Sequence, residues 1–217
     1  NAYGLTTFLG NHDMGRIGFF LATDTTAQGQ ELVERDLLAH DLLFLTRGTP
    51  VVYYGDEVGM TGSGDGTDKK ARQDMFPTEV ADWRTEERIG SAPIGTGSSL
   101  GASSPIASRI TSLTRLRAAH PALATGAQIT RYGEDSVFAS SRIDATSRRE
   151  YVVAFNTADT AASASFTTST PSSGWTALLG ASPATTNSAG TMSITIPARS
   201  SVVLRADTTL PVPAAPT

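Results

Sequence analysis

Apolar positions in the first 124 residues alternate between short runs and long stripes. Leu5 to Gly10 is a short apolar run bounded by glycines, the pattern of a buried strand. Asn11 to Thr26 is read as polar and glycine-containing, hence as a loop. Gln30 to Thr46 spreads Leu32, Val33, Leu37, Leu38, Leu42, Phe44 and Leu45 over a wide helical face. Glu31 and Glu34 stand in its first turn and Arg47-Gly48 follows its end, which predicts a helix with ordinary start and stop signals. Pro50 to Tyr54 predicts a second buried strand, closed by Gly55. Residues 59 to 105 are rich in Gly, Ser and Asp and read as one long excursion, of the length that usually serves a function in a folded domain. Ile106, Ile110, Leu113 and Leu116 restore helical spacing up to Ala119, where His120-Pro121 ends it because proline cannot continue the hydrogen-bond ladder. The order strand, helix, strand, loop, helix predicts parallel strands joined by helical crossovers.

From Gln128 onward the period shortens to two. Candidate strands are 128–132, 136–141, 150–156, 162–168, 174–179, 191–196 and 200–205, separated by turn clusters such as Gly133-Glu134-Asp135 and Thr185 to Gly190. Short strands at that spacing predict an antiparallel sandwich. The expected organisation is therefore an α/β segment over residues 1–124, an all-β sandwich over 125–206, and a Thr/Pro/Ala tail or linker over 207–217.

Composition removes several classes of function. Net charge is −4 with signs mixed along the chain, so no basic stripe points to nucleic acid. No apolar run approaches the ~20 residues of a membrane helix. Cysteine is absent, which removes disulfides and thiolate metal sites. Only Lys69 and Lys70 among the 17 basic residues are lysine, and the second half is dominated by Ser, Thr, Gly and Ala; this bias leads us to expect an extracellular bacterial protein. Two strands and two helices cannot close an α/β layer, since a parallel sheet needs both faces covered and its edges paired. A complete (β/α)8 barrel takes about 250 residues. The α/β segment is thus expected to be a piece of a longer barrel, its partner being the N-terminal portion of the same polypeptide.

Three segments carry a family resemblance. Phe8-Leu9-Gly10-Asn11-His12-Asp13 resembles the end of the seventh barrel strand of the α-amylase family of glycoside hydrolases. The stretch from Arg47 to Met60, Arg-Gly-Thr-Pro-Val-Val-Tyr-Tyr-Gly-Asp-Glu-Val-Gly-Met, resembles the eighth strand and its turn. Leu113 to Leu123 resembles the eighth helix and its exit. The three occur in family order. The resemblance implies the last part of a (β/α)8 barrel, from about strand 7 to helix 8, followed by a β-domain. It also implies retaining cleavage of α-glucosidic bonds in starch, maltodextrin or related glucans. Asp13 would be the third catalytic carboxylate, the transition-state stabiliser, and His12 the adjacent substrate-binding histidine. The nucleophile Asp and acid/base Glu of the family come from earlier strands, so this chain alone is expected to be inactive. The family's chemistry needs no cofactor, and structural calcium in the complete enzyme is compatible with it.

Other residues are open to two readings. Arg16, three positions after Asp13, reaches the innermost sugar or forms a structural ion pair; we assign it to substrate binding. Asp56 and Glu57 line the sugar cleft or brace their loop. Arg72, in Asp68 to Phe76, matches an arginine that rims the active site in relatives, or lies in a solvated charged loop. Asp65-Gly66-Thr67-Asp68 has a faint calcium-loop pattern but lacks the remaining oxygen ligands, and no metal ligand is assigned. Trp83, Tyr132, Tyr151 and Trp175 would stack on sugars if exposed. The competing class of function is a non-catalytic carbohydrate-binding or interaction module centred on the sandwich.

Overall fold

A computed structural model describes residues 2–62 and 68–211. Its internal contacts divide the chain into two compact units, Asn1–Phe44 with Gly48–Leu116, and Leu45–Arg47 with Arg117–Thr217.

The first unit is α/β. Strand β1 (Thr6–Phe8) pairs in parallel with β2 (Thr49–Val51), in the register Thr6 to Thr49 and Phe8 to Val51. Helices α1 (Ile17–Asp24) and α2 (Gly29–Leu45) form the crossover between them. Both strands are shorter than their apolar runs, and neither is buried as expected: Leu5 is 64%, Phe8 44% and Val51 43% exposed. Among the described residues each strand has only the other as a sheet partner, so one edge of each is uncovered. Helix α1 was expected to be loop. Its sequence, Ile-Gly-Phe-Phe-Leu-Ala-Thr-Asp, is apolar on every side of its first turns and carries no 3.6-residue stripe by which to recognise it.

The excursion after β2 is held by small cores of its own. Val58, Met60, Met75 and Ile94 form one cluster. Val33 from α2, Ile89 from the excursion and Ile106 from α4 (Pro105–Ala119) form another. A short helix α3 (Ala81–Thr85) and a 3-10 turn over Asp68–Ala71 lie within a stretch expected to be irregular. Gly59 has φ +75°, and a Cβ there would sit 2.2 Å from the carbonyl oxygen of Ile89. Only glycine admits that approach, across which the Ile89 N–H donates to the Gly59 carbonyl at 2.8 Å. Arg109 on α4 forks onto Asp41 of α2 with two bonds of 2.6 Å, joining the two helices of this unit.

The second unit begins with the end of α4 and the one-turn helix α5 (Ala122–Thr125), then becomes all-β. Strands β3 (Ala127–Glu134), β4 (Val137–Ile143), β5 (Glu150–Asn156), β7 (Gly174–Leu179), β8 (Ala184–Thr185) and β10 (Ser200–Ala206) form one antiparallel sheet in the order β3-β4-β5-β10-β7-β8. Strands β6 (Ala162–Thr167) and β9 (Thr191–Ile196) pair as a second sheet. Side chains of β6 and β9 alternate between buried and exposed, as a strand with one wet face requires. Their inner residues Ala164, Phe166, Met192, Ile194 and Ile196 pack against Val137, Ala139, Val152, Ala154, Trp175, Val202 and Leu204 of the larger sheet. The tail is more ordered than a linker at its start: the Leu210 N–H donates to Arg148 O, and Arg148 Nε donates back to Leu210 O, both at 3.0 Å. Residues 212–217 lie outside the described part.

Candidate active site

The residues singled out at the end of β1 sit on one tight turn. Asn11 accepts at Oδ1 from the backbone N–H groups of Asp13 and Met14, both at 2.8 Å, and its backbone exchanges two hydrogen bonds with Gly15. This is an Asx-type turn, in which a side-chain oxygen replaces a backbone acceptor. Gly10 is required at its base, because a Cβ there would meet Gly15 O at 2.5 Å. The turn lifts His12 and Asp13 into solvent, with side chains 63% and 68% exposed. His12 Nε2 lies 3.3 Å from Asp13 Oδ2.

Arg72 arrives from the excursion. Its Nη2 stands 3.4 Å from Asp13 Oδ1 and 2.9 Å from Asp68 Oδ2, while its Nε donates to the carbonyl of His12 at 3.1 Å. Each oxygen of Asp13 therefore faces one nitrogen-bearing side chain, and all three groups remain open to solvent. A carboxylate, an imidazole and a guanidinium thus stand together at the surface, able to offer hydrogen-bond acceptors and donors to one polar ligand at once. The surroundings of Asp65 to Thr67 lie outside the described residues.

Arg16 takes the structural of its two readings. It is wholly buried, where a substrate ligand would need an open face. The N-terminus of α1 aims it: Arg16 is the N-cap, its carbonyl accepts from Phe19 N–H, and its side chain turns inward. Nη1 donates to Asp56 Oδ1 and to the Tyr54 carbonyl, each at 2.7 Å, and Nε donates to Gln73 Oε1 at 2.8 Å. The guanidinium lies 4.5 Å from the ring centre of Tyr53 and 5.2 Å from that of Tyr54, within cation–π range. Asp56 is its buried partner, and Glu57 braces the same turn by accepting from Gly55 N–H at 2.7 Å. Asp56 is buried away from any cleft, and Glu57, half-buried, is engaged in bracing its own turn.

Electrostatics separate this buried layer from the exposed one. Burial pushes the Asp56 carboxyl up to about 6, against the pull of Arg16 and His40 in the opposite direction. Burial also pushes the Tyr53 phenol up to about 12. His40 on α2 is desolvated, which lowers its pKa, but the Asp36 side chain one turn away outweighs this with help from Asp56, and the net direction is upward.

Gln73 and Glu86 belong to this layer and carried no sequence signal. Gln73 Nε2 donates to Glu86 Oε1 at 2.6 Å, and the same oxygen accepts from Gly62 N–H at 2.6 Å and Thr61 Oγ1 at 3.2 Å. A lone Gln and a lone Glu in a polar loop look like solvated residues; only the fold brings them to Arg16. Among the described residues no group of three or more His, Asp or Glu side chains converges as a metal site, so no residue here is assigned to calcium.

Comparison with known proteins reaches the same part of sequence space. Residues 1–90 match the family model of the α-amylase catalytic domain, and residues 131–207 match that of the α-amylase C-terminal all-β domain. An α-amylase of Streptomyces lividans is 46% identical over 99% of this chain, which spans 24% of that protein's length. A cyclomaltodextrin glucanotransferase of Niallia circulans is 26% identical over 80% of this chain and 20% of its own length. The crystal structure of a Geobacillus thermoleovorans α-amylase complexed with acarbose superposes with a TM-score of 0.71 at 20% identity, over 95% of this chain and 39% of that one.

Proposed function

Since the chain belongs to the α-amylase family, with the last part of the (β/α)8 catalytic barrel and the C-terminal all-β domain, we propose that the complete polypeptide is a retaining glycoside hydrolase cleaving α-glucosidic bonds in starch and maltooligosaccharides. Asp13 is its transition-state-stabilising carboxylate. The observation that carries this reading is the placement of Asp13: at the C-terminal end of a parallel strand, on a rigid turn, 68% exposed, with His12 and Arg72 against its two oxygens. Barrel enzymes put their chemistry at that end of the strands. Cleavage passes through an oxocarbenium-like state, and hydrogen bonds to sugar hydroxyls that strengthen there supply several kcal/mol (order of magnitude). Asp13 accepts from two neighbouring hydroxyls of the reacting sugar. His12 contributes a further hydrogen bond beside it, and the Arg72 guanidinium stands against the other oxygen of the carboxylate.

The nucleophile and the acid/base are supplied by the upstream part of the barrel, so the 217-residue chain does not turn over glucan alone. Within the family we favour α-amylase-type hydrolysis, supported by the 46% identity to the Streptomyces enzyme. The Lys-poor, Ser/Thr/Ala-rich composition supports an extracellular location. The sandwich gives little support to a separate sugar-binding role: Trp175 and Tyr151 are buried, Tyr132 is half-buried, and a cleft of about 610 Å³ beside β8 and β9 is lined by small and hydroxyl side chains such as Ser182, Thr185 and Ser193.

The test follows the anomeric proton of freshly released product by NMR, using the complete polypeptide on a linear maltooligosaccharide. Initial release of the α-anomer as linear oligosaccharides is expected. Initial release of the β-anomer, or turnover by the 217-residue chain on its own, would refute the proposal.

A further inference from the structure

We propose that Gln73 and Glu86 are positioning residues: with Arg16 they hold the backbone at residue 72 so that the Arg72 guanidinium stands at the Asp13 carboxylate. This rests on the reading of Asp13 as the working carboxylate and adds the device that keeps its neighbour in place.

Arg72 and Gln73 both tie the excursion to the β1 turn and the start of α1, and their links differ in strength: Arg72, half-exposed, donates from Nε to the His12 carbonyl at 3.1 Å and reaches Asp13 with Nη2. The Arg72–Asp13 contact is long, 3.4 Å, between side chains 47% and 68% exposed. Exposed pairs of this kind contribute about 0–1 kcal/mol and do not hold a loop by themselves. The adjacent residue makes the other link. Gln73 is wholly buried and its amide works in both directions, accepting from Arg16 Nε at 2.8 Å and donating to Glu86 Oε1 at 2.6 Å. Both bonds involve a charged partner away from water, the circumstance in which hydrogen bonds are strong and specific in geometry.

The links form a closed ring. Asp13 and Arg16 lie three residues apart on the β1 turn and the start of α1, while Arg72 and Gln73 are consecutive. Gln73 faces the buried layer and Arg72 faces solvent, so fixing the amide fixes the side from which the guanidinium leaves the chain. Glu86 anchors the ring by gathering Gly62 N–H and Thr61 Oγ1 on the oxygen that holds Gln73. Glutamine suits this position because one planar group satisfies a guanidinium and a carboxylate together. A glutamate would set a second negative charge against Glu86, and an aliphatic side chain would leave both partners unpaired.

The experiment is a double-mutant cycle in the complete polypeptide, with kcat and KM measured on a maltooligosaccharide of defined length and folding monitored by Tm. Gln73→Met is expected to lower kcat/KM by about tenfold, since small misplacements of a site cost rate steeply. Arg72→Ala is expected to cost about tenfold in the parent enzyme but less than about twofold when Gln73 is already Met, the signature of residues acting as one unit. Multiplying losses, or a Gln73→Met enzyme within about twofold of the parent, would overturn the proposal. Should Gln73→Met fail to fold, Glu86→Gln replaces it in the same cycle, with the same non-additivity expected and multiplying losses again fatal. Asp13→Asn, run alongside, separates the two claims: full activity in that variant would sink the functional reading itself, whatever Gln73 does.

Discussion

Arg16 and Asp13 lie three positions apart in one motif, yet they live in opposite environments. The spacing is visible in the sequence; the direction of each side chain is set by α1, whose uniform apolar composition concealed it. The buried pair has consequences for stability. Replacing Arg16 by Met would leave the Asp56 carboxyl uncompensated, and breaking a buried pair in this way costs about 3–5 kcal/mol. The loss should be larger at pH 8, where Asp56 is charged, than at pH 5, and urea titrations of the variant and parent at both values measure it. In the parent, the folded-state pKa of Asp56 lies above the unfolded value of 3.8, at about 6. Its contribution to stability is therefore fully present below about pH 3.8 and is lost as pH rises through about 6. His40, desolvated but raised on balance by Asp36 with help from Asp56, adds a loss of the same sign at higher pH, while burial, with a smaller push from Asp36, raises Asp56 against the pull of Arg16 and His40. A stability curve that climbed across this window in the parent but flattened in Asp56→Asn would contradict this assignment.

At the scale of elements, strong periodicity was legible and weak periodicity was not. Helix α2 and the start of α4 fall within a residue of their expected ends, and the main sandwich strands were visible from period-two alternation. Strand β8 has two residues, too few to show a period, and its second, Thr185, opens a turn cluster. Strands β5 and β10 are buried almost throughout; neighbouring strands flank each of them within the sheet, and Val152, Ala154, Val202 and Leu204 pack against the second sheet. Leu204, central in β10 and fully buried against the second sheet, should cost about 2–5 kcal/mol on replacement by Ala. Thr195, on the outer face of β9, should cost within about 0.5 kcal/mol on the same replacement. Comparable denaturation midpoints for the two variants would argue against a sandwich core at Leu204.

At the scale of the whole chain, the site was legible only in part, since the motif carries one carboxylate and the buried residues that set its neighbour have no local signature. The strand pair that presents Asp13 keeps Leu5, Phe8 and Val51 exposed, and the upstream part of the barrel is the expected cover. The isolated chain should therefore bind a hydrophobic dye strongly, and a dye-silent, sharply cooperative melt would speak against that cover. Asp13 is proposed to act in the transition state. Asp13→Asn in the complete polypeptide, assayed for kcat and KM on a maltooligosaccharide, tests this most directly. The predicted result is a fall in kcat of about a hundredfold or more with KM within a few-fold of the parent and Tm unchanged, as loss of an interaction made only in the transition state requires. A variant that keeps the parent kcat would contradict it.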